Sequence, residues 1–218
     1  MFKHKEGLHF EDLEAITTEK GRVYKTPEGD FPSITTVLSI LSKDGIQQWR
    51  NRVGEREANK ISKFAAQRGE NLHLMCEDYL NNNLDVKKFD VFDRAMFKPM
   101  KRALDSYVGL VYAQEVPLYS KHLGVAGRVD CIAEWNGKLS VVDFKTSRKL
   151  KKEEYIQSYF QQTTAYCIMF EERTGIPINQ IVIPIMVENE DEPQIFISRR
   201  DNHAKDLLET ISKFKSGY

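Results

Sequence analysis

The 218-residue chain is predicted to be an α/β protein with a mixed central sheet, flanked by helices and preceded by a helical N-terminal region. Three observations predict this class. Apolar residues recur at helical spacing in long segments, as at Ile61, Ala65, Leu72, Cys76 and Leu80. Apolar runs of strand length follow at 111–119, 125–135, 138–145, 181–187 and 195–197. Asn136-Gly137 is a two-residue hairpin signal, so the runs on either side of it are antiparallel neighbours.

The elements follow in order. Residues 8–32 are rich in strand and turn signals, with Arg22-Val-Tyr-Lys-Thr26 as a strand and Pro27-Glu-Gly-Asp30 as a tight turn. A helix starts at Pro32-Ser33, with Ser33 or Thr35 as its N-cap before Val37-Leu38 and Ile40-Leu41. Asp44-Gly45 breaks it, and a shorter helix carries Trp49 and Arg52. One long helix covers 56–82 and stops at Asn81-Asn-Asn83. The next runs from about Asp90 to Val108, with Pro99 as a kink. After the hairpin strands, a helix over 152–173 is closed by Gly175 and Pro177. The continuous run Ile181–Val187 reads as a buried strand. A last helix spans 201–215.

Composition excludes several classes. Apolar residues make up 41% and charged residues 29%, as in an ordinary soluble protein. No apolar run is long enough to cross a bilayer, so no membrane role is expected. The opening Met-Phe-Lys-His-Lys-Glu-Gly lacks the apolar core of a signal peptide, and a cytoplasmic location is expected. Cys76, Cys131 and Cys167 have no zinc or iron–sulfur spacing and read as buried thiols. Net charge is zero, which argues against coating duplex DNA through a broad basic surface. Residues 101–150 are net +3 and the last 68 are net −3. The cationic excess therefore surrounds the segment discussed next, which suits a polyanionic substrate.

That segment reads Gly-Val-Ala-Gly-Arg-Val-Asp130, then twelve residues, then Asp143-Phe-Lys145-Thr-Ser-Arg148. Residues i and i+2 of a strand share a face, so Asp143 and Lys145 project together while Phe144 turns into the core. Counting out from Asn136-Gly137 brings Asp130 close to Asp143 across the pair. Two carboxylates and the Phe144 carbonyl are hard oxygen donors suited to Mg²⁺ or Mn²⁺. Lys145 would orient or help deprotonate an attacking water and offset phosphate charge.

Neighbouring candidates carry two readings each. His73, at the margin of the apolar stripe of the long helix, is a metal ligand, a phosphate contact or a hydrogen-bonded core histidine. Gly69 permits a close approach one turn earlier. Arg68 is a phosphate contact or a solvated arginine, and Glu115 is a third carboxylate or a strand-edge acid. Ser147 and Arg148 are placed to grip a phosphate. Tyr155, Tyr159, Gln162, Tyr166 and Met169 share one helix face, and a glutamine buried there needs a polar partner. Trp49, Tyr79 and Phe97 read as packing residues rather than base-stacking ones.

Gly127-Arg-Val-Asp130, Asp143-Phe-Lys-Thr146, Gln162-Thr-Thr-Ala-Tyr166 and Arg68-Gly69 with His73 and Glu77 form an ordered set. In that order and spacing they resemble the PD-(D/E)XK nuclease superfamily, RecB-like branch. Pro32-Ser-Ile-Thr-Thr-Val-Leu38 with Trp49 and Arg52 extends the likeness toward the mitochondrial genome maintenance and phage-encoded exonucleases. The superfamily's leading proline is replaced by Val129, and the branch's cysteine-ligated iron–sulfur cluster has no ligands here. The resemblance implies a restriction-endonuclease-like core over 61–218, with 1–60 walling a cleft, in one nuclease domain of 218 residues. It implies metal-dependent hydrolysis of DNA, from ends and of single strands, in replication, repair or recombination. Endonucleolytic cutting by the same centre and a non-catalytic nucleic-acid-binding module are the alternatives. It implies metal ligation by Asp130, Asp143, the Phe144 carbonyl and His73, with Lys145 catalytic and Gln162 and Tyr166 in support. Thr146, Ser147, Arg148 and Arg68 then face the substrate. No mitochondrial presequence is read, so a bacterial or phage-infected cytoplasm is expected; no protein partner is implied.

Overall fold

A computed structural model describes residues 1–217. The N-terminal part is a three-stranded antiparallel sheet, β1 (Ala15–Thr18), β2 (Gly21–Thr26) and β3 (Gly29–Pro32). Ser33 then caps α1 (Ile34–Leu38) by accepting from Thr36 N–H at 3.0 Å. A 3₁₀ turn over Ser39–Leu41 leads into α2 (Lys43–Val53). The expected break at Asp44-Gly45 therefore lies inside the first turn of α2. Asp44 suits that place, because the helix dipole favours a negative charge in the first turn.

Two long helices follow, α3 (Glu55–Leu80) and α4 (Val91–Tyr107). Asp90 caps α4, and Pro99 sits buried within it. The main sheet then begins with β4 (Val108–Ser120) and β5 (Val125–Trp135), continued by β6 (Lys138–Val142) and β7 (Lys145–Ser147). The helix α5 (Gln157–Thr174) connects to β8 (Gln180–Val187), β9 (Gln194–Arg199) and α6 (Ala204–Lys215). β4, β5 and β6 are antiparallel neighbours, β8 runs parallel to β6 and β7, and β9 pairs antiparallel with β8. The sheet is thus mixed, as expected.

The Asn136-Gly137 hairpin forms as predicted, with φ of +52° and +72° at its two residues, and it opposes Trp135 to Lys138. One expectation needs correction. The run 138–145 is not one unbroken strand: it stops at Val142 and resumes at Lys145. Both pieces keep the same register along β8, Ser140 opposite Gln180 and Ser147 opposite Val187. Asp143 N–H still donates to Val182 O at 3.0 Å. Phe144 N–H leaves the ladder and donates to Asp130 Oδ2 at 2.9 Å, so the interruption is a side effect of the carboxylate it serves. A second correction concerns the helix expected over 152–173. It starts at Gln157, after a 3₁₀ turn over Glu153–Tyr155, and Tyr155 is 68% exposed rather than part of the buried stripe.

Residues that alternate along the strands pack on opposite faces. Val141, Ile181, Ile183 and Ile185 join Ile34 and Val37 of α1, Phe160 and Phe170 of α5 and Leu207 of α6. Val142, Val182 and Met186 join Leu72, Met75 and Cys76 of α3 and Met100 and Leu104 of α4. The core is therefore two apolar layers with the sheet between them. Phe144 belongs to the second layer at 2% exposure. All three cysteines are buried free thiols.

Gly127 allows the closest approach in this core. A Cβ there would lie 2.9 Å from Tyr166 Cε1 and OH and 3.2 Å from Ile34 Cγ2. Gly69 differs, since its Cβ would meet only Thr146 Oγ1 at 3.8 Å. Gly127→Ala is expected to lower stability by about 1–3 kcal/mol through overpacking. Gly69→Ala in the α3 interior is expected to gain about 0.5–1 kcal/mol from helix propensity. Urea melts of the two variants check the pair; a Gly127→Ala midpoint equal to the parent would refute the packing argument.

Candidate active site

The site forms where β5 and β6 stop pairing. Their last opposed pair is Cys131 and Val142, and the next residues outward are Asp130 and Asp143. Beyond that last β5–β6 pair, these two are met by helices from both layers. From α3, His73 Nδ1 lies 3.3 Å from Asp130 Oδ2. From α5, Gln162 Nε2 donates to Asp143 Oδ1 at 2.9 Å. Lys145, two residues beyond Asp143 and on its side of the chain, ion-pairs with Asp143 Oδ2. That oxygen makes no hydrogen bond besides this contact. Asp143 is 1% exposed.

Glu115 completes the cluster in an unexpected way. It lies mid-strand in β4, between Gln114 opposite Cys131 and Val116 opposite Val129. Asp130 is thus its counterpart across the pair. Glu115 has a φ of +47°, and holding a non-glycine residue there costs about 1–3 kcal/mol. Arg128 holds the twist by donating from Nη1 to the Glu115 carbonyl and from Nη2 to Asp12 Oδ1. One donor atom each from His73, Glu115 and Asp130 lie within 4.8 Å of one another. Asp143 stands outside that set of three, turned to Gln162 and Lys145.

Burial and crowding set the charge states. Burial raises Glu115 to about 7, helped by Asp130 and Glu77. Burial likewise raises Asp143 to about 6, opposed by Lys145 and aided by Asp130. Asp130 is also pushed up by burial, but His73, Lys145 and the Phe144 N–H outweigh that and hold it below the usual carboxylate range. Burial would lower His73 and Lys145, and the carboxylates around them raise both instead. Lys145 is therefore an ammonium, with its Nζ also 5.2 Å from the Tyr159 ring centre. Burial, then Asp130 and Asp143, carry the Tyr166 phenol well above its usual value, and Gln162 beside it partly opposes this.

The remaining candidates sit at the edge of this cluster. Arg68 ion-pairs with Glu188, and Arg148 Nε lies 3.8 Å from the other oxygen of the same carboxylate. The Ser147 hydroxyl donates to Lys149 O at 2.6 Å and accepts from Lys149 N–H, so it is committed to its own turn. Thr146 faces Gly69 across the α3–β7 contact. Tyr79 donates to Asp105 and packs edge-on against Phe97, consistent with their expected packing role. Sequence reasoning missed Glu188 and Tyr159 as neighbours of the site. Tyr159 was visible on the α5 stripe. Glu188 was signalled only as the charge that ends a buried strand.

A family model for the PD-(D/E)XK nuclease superfamily matches residues 38–213, a span that holds every residue of the cluster. The chain belongs to this superfamily. Two relatives are exonucleases by name. Mitochondrial genome maintenance exonuclease 1 of Homo sapiens is 30% identical over 149 residues, covering 62% of this chain and 42% of that protein. The same protein of Xenopus tropicalis is 28% identical over 150 residues, covering 63% and 42%. The aligned region thus spans about two fifths of those relatives' length. A crystal structure described as an exonuclease of Eubacterium rectale aligns with a TM-score of 0.46 and 14% identity, over 66% of this chain and 63% of that one. That likeness is too loose to add to the family match.

PD-(D/E)XK nucleases use divalent metals, and the donors here fit one. Two carboxylates are hard oxygen donors and the imidazole is a borderline nitrogen donor, a mixed N/O set that suits a divalent cation. Glu115, an acid near half-ionised at neutral pH, gains a cation to neutralise it. Among the described residues no helix is long and apolar enough to cross a membrane.

Proposed function

We propose that this chain is a metal-dependent deoxyribonuclease acting as an exonuclease on single-stranded DNA ends, in replication, repair or recombination. One observation carries the reading: His73, Glu115 and Asp130 converge within 4.8 Å beside the buried Asp143–Lys145 pair. His73, Glu115, Asp130 and Asp143, with the Phe144 carbonyl, would hold Mg²⁺ or Mn²⁺. The ion would lower the pKa of its water and draw off charge at the scissile phosphate. Lys145 stays protonated between Asp143 and Asp130, so its role is to place a fixed positive charge beside the phosphate rather than to remove a proton. Gln162 fixes the Asp143 carboxylate, and Tyr166, packed on Gly127, supports Gln162. Arg148, Arg68 and Thr146 would flank the backbone of the substrate.

The metal centre does not select ends, so the exonuclease part is tested by topology. Linear single-stranded DNA is expected to be degraded in Mg²⁺ or Mn²⁺, circular single-stranded DNA to stay intact, and chelator to stop the reaction. Cleavage of the circle at a comparable rate would make the protein an endonuclease.

A further inference from the structure

A cavity of about 690 Å³ lies between α3, α4 and the turn after β8. It does not include Asp130, Asp143 or Lys145, but its wall is tied to the strand that carries Lys145. Glu188 in its wall donates its N–H to Ser147 O at 2.9 Å, and Ser147 is two strand residues, roughly 7 Å, from Lys145. Two phenylalanines face the cavity from its two helices. Phe64 is 66% exposed and Phe92 is 81% exposed. Phe92, Met96 and Pro99 are spaced by turns of α4; Pro99 is buried and Met96 packs on the second core layer, which leaves Phe92 as the uncovered apolar residue of that face.

Charge decides what such a surface would hold. Lys98 and Arg102 line it, but so do Asp93, Glu190 and Asp191, so a phosphate track across its floor is disfavoured. Flat apolar bases are not. Positive charge concentrates instead at the end toward β7, where Arg68 and Arg148 share the single carboxylate of Glu188. Arg68 Nε there is buried without a partner. A carboxylate held between two guanidiniums occupies the place a phosphate would take.

We propose that this cavity is the subsite for unpaired bases next to the scissile phosphate. The bases stack on Phe64 and Phe92, and a backbone phosphate displaces Glu188 from Arg68 and Arg148. This rests on the nuclease reading and deepens it. Paired bases are stacked on one another and cannot offer their faces to both rings, so the subsite selects single strands.

The test uses the full chain and a short fluorescein-labelled deoxythymidine oligonucleotide, with anisotropy read in chelator and cleavage read separately in Mn²⁺. Phe64→Ala and Phe92→Ala are each expected to weaken binding about tenfold, the size of one lost base–aromatic stack. Both side chains are exposed, so melting temperatures should match the parent. Phe92→Trp is expected to restore affinity. A strand with abasic sites is expected to bind the parent weakly and to lose nothing further with Phe92→Ala. Parent-like affinity of both alanine variants for the intact strand, while the parent still cleaves DNA, overturns the subsite and leaves the cavity to another ligand such as a peptide. A parent that cleaves no DNA removes the nuclease reading, and the subsite with it.

Discussion

Asp130→Asn and Asp143→Asn are each expected to lower DNA cleavage by at least about a thousandfold, since metal-supplied charge stabilisation is worth several kcal/mol. Asp130 is the point at which the cluster joins: it faces His73, Glu115 and the Phe144 N–H. An asparagine keeps an oxygen for that N–H but removes the negative charge a cation needs. Asp143 has a different burden. It is buried with Gln162 on one oxygen and Lys145 on the other, so its replacement frees the lysine it positions. Neither change should unfold the protein. For Asp143, whose charge is opposed by burial and by Asp130, the metal-free melting temperature is expected to hold or rise; for Asp130, whose charge is held by His73, Lys145 and the Phe144 N–H, it is expected to fall modestly. A rate equal to the parent for either variant would remove that residue from the mechanism. Collapse of the fold would instead show that the carboxylate is structural.

Stabilisation by Mn²⁺ is expected to be small at pH 5 and large at pH 8. Glu115 and Asp143 have folded-state pKa values raised to about 7 and about 6, from ordinary values of 4.5 and 3.8. The folded protein therefore binds their protons more tightly than the unfolded chain does. Their contribution to metal-free stability is complete below the ordinary values and is lost as pH rises through 6 and 7. Each group has a limiting slope of about 1.4 kcal/mol per pH unit. His73, raised by Asp130 against its burial, acts in the same direction. Asp130, held low, acts oppositely and matters only in stronger acid. A metal binds the deprotonated donors, so it competes with protons for His73, Glu115 and Asp143 and releases them on binding. Thermal melts with and without Mn²⁺ across this range test the window, and calorimetry in two buffers of different ionisation enthalpy counts the protons. Equal stabilisation at pH 5 and pH 8 would mean that these groups do not hold the ion.

Much of the arrangement was legible from local pattern. Asn136-Gly137 defined a hairpin, and counting outward from it opposed Asp130 to Asp143. Strand periodicity then placed Lys145 beside Asp143 and sent Phe144 into the core. Helical periodicity likewise put Gln162 and Tyr166 on one buried face and demanded a polar partner for the glutamine, which proved to be Asp143. The same reasoning overextended the strand through Asp143 and Phe144, because a backbone N–H had left the ladder for a side chain. It also counted Tyr155 into a stripe that begins only after the 3₁₀ turn.

The amino-acid sequence by itself determined the element order, the hairpin register and the hard-donor chemistry of the motif. Those follow from periodicities of two and 3.6 residues and from turn residues, all of which act over a few positions. Only the tertiary structure decided that α3 and α5 approach the carboxylates from opposite layers, that Glu115 twists into the cluster, and that Glu188 occupies Arg68 and Arg148. Those contacts join residues distant in the chain, and they exist because two apolar faces of one sheet had to be covered at once.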